Sequence, residues 1–109
     1  MTSITKKFLA AQIERLNRAT GSPLSPYVRE DGKCVAQVGN YHLSGAYGGY
    51  SLHRMTPGGG ISDVFRCGHV SKRSLSERIS AMLCGIEAAR AEVQERIEDR
   101  LHEMDVFTR

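Results

Sequence analysis

Over the first twenty residues the apolar positions recur at helical spacing. Ile4, Phe8, Leu9, Ile13 and Leu16 fall on one side of a wheel, with Lys6, Lys7, Glu14 and Arg18 elsewhere around it. The pattern predicts an amphipathic helix over residues 4–19. Gly21 suits its C-terminal cap, and Pro23 and Pro26 cannot continue a helical ladder.

From residue 33 to 66 the pattern changes to alternation. The segments KCVAQV, YHLSGA, YSLHRM and ISDVF are separated by Gly39-Asn40, by Gly48-Gly49 and by TPGGG. In the first, Cys34, Ala36 and Val38 alternate with Val35 and Gln37; in the third, Tyr50, Leu52 and Arg54 alternate with Ser51 and His53. An antiparallel meander of three or four strands is expected. The run Tyr47-Gly48-Gly49-Tyr50 fits either a tight turn or a bulge inside one long strand, since glycine admits the positive φ that both require.

A second helix is predicted over residues 72–104. Ser71 is its first N-cap candidate, with Val70 placed to pack on Leu75, and Ser74 with Glu77 offers a capping box one turn on. Leu75, Ile79, Met82, Leu83, Ile86, Val93, Ile97, Leu101 and Met104 form its apolar stripe. The positions 75, 86, 97 and 82, 93, 104 repeat every eleven residues, which keeps a helix nearly straight, and Arg90 and Arg100 interrupt a heptad seam. Such a helix is about 50 Å long, whereas a domain of this size is about 26 Å across. Its far half therefore needs a surface to pack on, and a homodimer through the C-terminal helix is expected. A helix that breaks near Arg90 and folds back, or frays, is the alternative.

The 109 residues suffice for one α+β domain, with an N-terminal helix, the sheet and the long C-terminal helix. Apolar residues at 40% and charged residues at 25% describe a folded protein and not a disordered segment. No apolar run approaches the ~20 residues of a membrane span, and the start turns polar too early for a secretory signal, so a cytoplasmic protein with no membrane contact is expected. Cys34, Cys67 and Cys84 lack paired spacing and read as reduced thiols, mostly small core residues. The net charge of +3 conceals a dipole in sequence. Residues 1–20 carry Lys6, Lys7, Arg15 and Arg18 against Glu14, whereas residues 81–109 carry seven acids and four arginines.

Candidate chemistry is thin. Cys67-Gly68-His69 sets two metal-ligand types close together, but a structural zinc site wants four at recognisable spacing. GAYGG and PGGG hold neither GxGxxG nor a Walker lysine and sit between strands, so they read as turns. No acid–base or nucleophile constellation is present among His42, His53, His69, His102, the cysteines and the acids. No enzyme, metal or cofactor is expected.

Two surfaces could bind. Tyr27, Tyr41, Tyr47 and Tyr50 either fill a core that lacks tryptophan or supply docking rings, and tyrosine beside glycine and arginine is the composition of protein-binding hot spots. A protein partner would meet Tyr41, Tyr47, Gly48, Gly49, Tyr50 and Arg54. Alternatively Arg54, Arg66, His69, Lys72 and Arg73 fall at strand ends and a helix start, where free N–H groups favour an anion, and would make a nucleic-acid-binding module.

The order helix, three strands, helix, with GHVSKRSLSERI entering the last helix, resembles the double-stranded-RNA-binding domain, which implies phosphate contacts at that helix start. The acidic second half of the long final helix departs from that domain. A second resemblance spans residues 40–86. The run Tyr41 to Met55, a glycine turn, a strand and SKRSLSERISAMLCGI are similar to small accessory proteins encoded by phages and mobile elements. It implies a non-catalytic binding or regulatory protein, for example an inhibitor of host or defence machinery.

Overall fold

The computed structural model describes residues 3–108, with side chains to residue 105. The elements are α1 (Lys6–Thr20), β1 (Tyr27–Glu30), β2 (Lys33–Ala36), β3 (Tyr41–Ala46), β4 (Gly49–Met55), β5 (Ile61–Asp63) and α2 (Lys72–Thr108). The fold is α+β, as the periodicities predict.

Helix α1 starts where Thr5 accepts the Phe8 N–H on its hydroxyl at 3.0 Å. It stops at Gly21, whose φ of 67° lets the Gly21 and Ser22 N–H groups return to the carbonyls of Arg18 and Asn17. Ser71 caps α2 by accepting the Ser74 N–H at 3.1 Å, and Val70 packs into the same cluster as Leu75.

The strands do not form one meander. Asp31 and Gly32 take φ of 50° and 77°, a two-residue turn that folds Lys33–Ala36 back on Tyr27–Glu30 with Val28 opposite Val35. The segment after residue 33 therefore pairs backward, and the sheet expected over 33–66 is a separate β1–β2 hairpin plus a three-stranded antiparallel sheet in the order β3-β4-β5. Gly39-Asn40 is no hairpin turn. Gly39 (φ 93°) donates its N–H to Met55 O while Met55 N–H donates to Asn40 O, so two residues face one and the chain bends into β3.

Tyr47 and Gly48, at φ 54° and 74°, form the tight turn between β3 and β4, with Ala46 opposite Gly49. Alternation about that turn sends Tyr41, Leu43, Tyr50 and Leu52 to one face and His42, Ser44, Ser51 and His53 to the other.

Both helices cover the first face. Leu9, Ile13 and Leu16 of α1 meet Leu75, Ile79 and Leu83 of α2 over Tyr41 and Leu52. The helices run parallel, because Gln12 donates to Ser76 O and Ser80 Oγ while Arg15, further along α1, pairs with Glu87, further along α2. Truncating any of these leucines to alanine costs about 2–5 kcal/mol.

Two parts project from this core. Nearly all of β1 and β2 is exposed on both faces. Helix α2 is continuous through Arg90, and from Glu87 to Asp105 every side chain is exposed. The radius of gyration is accordingly 18.2 Å, against about 13 Å for a compact chain of this length. Among the described residues no helix is long and apolar enough to cross a membrane.

The cysteines are not core residues. Cys34 lies on the uncovered β1–β2 hairpin, Cys84 is exposed at a groove that it lines with Phe8, Gln12 and Arg15 of α1, and Cys67 is half-buried in the loop before α2; all are free thiols.

Candidate binding surface

The β3–β4 turn lies at one end of the sheet, and both helices begin there. Tyr47 is 99% exposed. Its left-handed backbone is a conformation that Asn or Gly adopts at lower cost, so a tyrosine at this position carries strain of about 1 kcal/mol.

Behind the tip, Tyr50 exchanges two backbone hydrogen bonds with Val70, at 2.7 and 2.8 Å, which tie the entry of α2 to β4. The Tyr50 ring is half-buried against the core, and Lys6 Nζ stands 5.8 Å from its centroid. Gly49 fits this arrangement closely: a Cβ there would stand 3.0 Å from His69 C and Val70 O, so the backbone entering α2 would have to give by a few tenths of an ångström. Ser3, Ile4, Ser71, Lys72 and Arg73 line a shallow groove between the two helix starts. Lys6, Lys7, Lys72 and Arg73 thus gather around two helix N-termini whose dipoles add positive potential.

Of the six residues expected to meet a protein, this end collects Tyr47, Gly48, Gly49 and Tyr50. Tyr41 and Arg54 do not join them. Tyr41 is 5% exposed in the core, and the Arg54 guanidinium stacks 4.8 Å from its ring and donates from Nε to Gly39 O. That pair sits at the opposite end of the strands, about 17 Å from the tip. Alternation buries Tyr41 because it shares a face with Leu52 and Tyr50.

The basic set divides in the same way. His69, Lys72 and Arg73 stand near the tip, Arg54 at the far end, and Arg66 on an outward excursion between Val64 and Val70. Asp63 organises that excursion by accepting the N–H groups of Arg66 at 3.2 Å and Gly68 at 2.9 Å. Burial works to raise the Asp63 pKa, but the N–H groups of Gly68, Arg66 and Phe65 and the Ser51 hydroxyl outweigh it, and the carboxyl is held below its ordinary value.

The excursion lays His69 across the second face of the hairpin. His42 and His53 are cross-strand partners with ring centroids 5.9 Å apart, His53 and His69 are 6.1 Å apart, and His69 and Tyr47 are 5.9 Å apart. Ser44 Oγ lies 3.3 Å from His69 Nε2. This ladder leads to the exposed ring at the tip. Desolvation, then the charge of His53, lowers the His42 pKa. Placing the turn at Tyr47-Gly48 is the signal that pairs residue 42 with 53. Among the described residues no three His, Cys, Asp or Glu side chains converge to hold a metal ion.

The chain matches no family model, no curated protein and no solved structure.

Proposed function

We propose that the chain is a non-catalytic binding module of the accessory type carried by phages and mobile elements, engaging a protein partner through the end where the β3–β4 turn meets the starts of α1 and α2. The observation that carries this reading is Tyr47. An almost fully exposed aromatic ring held in a strained turn, touching only the His69 ring edge among the ring contacts described, adds little to the domain, and strain of this kind concentrates at sites of recognition. Tyr50 and Lys6 beside it complete an aromatic and cationic patch of hot-spot composition. The partner surface would be acidic, complementary to Lys6, Lys7, Lys72 and Arg73.

The test is capture from a bacterial lysate by wild type, Tyr47→Ala and Lys72→Glu. Loss of the same captured protein by both variants supports the reading; equal recovery by all three sinks it.

The parallel helix starts favour one second reading, a phosphate-bearing partner. Two N-termini with four cations at one end are the elements of an anion-binding surface. Binding to mixed-sequence duplexes, measured by anisotropy, would then weaken by about 0.9 log units per decade of salt for each neutralised phosphate. Salt-independent or absent binding rejects it.

A further inference from the structure

The far half of α2 presents an apolar stripe that none of the described residues covers. Val93, Ile97, Leu101 and Met104 are 53, 48, 59 and 57% exposed. At 3.6 residues per turn they fall in the same sector, about 80° wide, as Leu75, Ile79, Leu83 and Ile86, which the core covers. The helix thus carries its core face straight out beyond the domain. A projecting helix with an uncovered apolar face is marginal in water, since most helical stability comes from packing.

The geometry points to a second copy of this chain as the occupant, with the two α2 tails packed antiparallel about a two-fold axis near residues 98 and 99. That axis sets Val93 opposite the partner's Met104 and Ile97 opposite the partner's Leu101, so the stripe is complementary to itself. The charges agree with this axis on one flank and oppose it on the axis itself, where Glu98 meets the partner's Glu98 and Arg100 lies about 4.5 Å along the helix from the partner's Arg100. Arg96 and Glu103 lie on one flank of the stripe, and in an antiparallel pair like flanks meet, which brings Arg96 to the partner's Glu103 twice over, by symmetry. Within one copy Arg96 pairs only along its own helix, with Glu92, and both groups are exposed, so the exchange is easy.

A parallel pair is disfavoured by Arg90. It would stand against the partner's Arg90 in the seam, whereas the antiparallel arrangement separates the two by about 25 Å along the axis. The overlap runs over roughly residues 90–107, the part of α2 that projects beyond the core.

The test uses the full chain. Sedimentation of wild type should give twice 12.0 kDa, and Ile97→Glu should give the single mass with an unchanged urea midpoint for the core, because Ile97 lies outside it, and a helical signal lowered only by fraying of the tail. Arg96→Glu and Glu103→Arg should each weaken the dimer on the order of five- to tenfold, and the double reversal should restore it to within about twofold. Restoration is specific to the antiparallel register, since the Arg96–Glu92 contact is lost in the double variant too. A monomeric wild type at hundreds of micromolar, a dimer untouched by Ile97→Glu, or single reversals without restoration would each overturn the proposal, the first leaving the stripe to a different protein.

Discussion

The side chain of Asn17 behaves as a neighbouring strand for Tyr41. Its Nδ2 donates to Tyr41 O at 2.9 Å and its Oδ1 accepts the Tyr41 N–H at 2.8 Å, with Asn17 itself only 1% exposed. Tyr41 opens the edge strand β3, so its outward backbone groups have no strand to pair with. A helix residue closes the edge where it is buried. Asn17→Leu leaves a buried donor and a buried acceptor unmet and should cost about 2–5 kcal/mol, read as a fall in the urea midpoint. Asn17→Asp can accept but not donate while ionised. Burial raises the pKa of that new carboxyl, so its deficit should shrink as pH falls and the neutral acid regains a donor.

Tyr47 separates stability from binding. Tyr47→Asn relieves about 1 kcal/mol of left-handed strain and gives up the edge contact with His69, so the urea midpoint should move little while partner capture falls. If the Asn variant were fully active in capture, the ring would have no part in recognition.

Gly49 should accept a side chain only at a cost. The Cβ of Gly49→Ala would press on the backbone of His69 and Val70, which cannot rotate away, and a loss of about 1–3 kcal/mol is expected with faster hydrogen exchange at the Tyr50 and Val70 amides. Gly48→Ala meets no atom within 4 Å, so only its positive φ penalises it, by about 1 kcal/mol.

The lowered pKa of His42 makes stability depend on pH. The folded state binds fewer protons than the unfolded state between the ordinary histidine value of 6.5 and the depressed one. Stability from this residue is complete above 6.5 and declines as pH falls through that window. Urea midpoints between pH 7.5 and 5 should drop in wild type and drop less in His42→Gln; equal slopes would mean that other groups set the dependence.

Thiol labelling of the native protein should resolve two rates. Cys34 and Cys84 are exposed and should react quickly, and the half-buried Cys67 more slowly.

The helices were legible because their apolar residues recur with one period over many turns and their caps, Gly21 and Ser71, carry the expected chemistry. Strands β3 and β4 were legible from alternation. The β1–β2 hairpin was not, although Asp31-Gly32 is a strong turn signal, because Tyr27–Glu30 follows two prolines and reads as linker. The proposed binding surface was half legible. Residue types pointed to the tyrosines and the basic helix start, but sidedness depends on where the turn falls, and one residue decides which rings are buried. That Lys6 and Lys72 share an end follows from parallel helix packing, which pattern along the chain does not encode.

Parallel packing of α1 and α2 also dictates an order of events when the chain is made. The core joins residues 64 to 72 positions apart, as in Gln12 with Ser76 and Arg15 with Glu87, so α1 has no helix to pack against until α2 has been synthesised. At ~5–20 residues per second that interval lasts several seconds, during which the apolar face of α1 stays uncovered. Only the local strand pairs, β1 with β2 and β3 with β4 and β5, can form in the meantime, because their closing residues are near neighbours in sequence. The nascent chain is therefore expected to wait as a hairpin and a small meander beside an unpacked helix, and to close its core late and in one step.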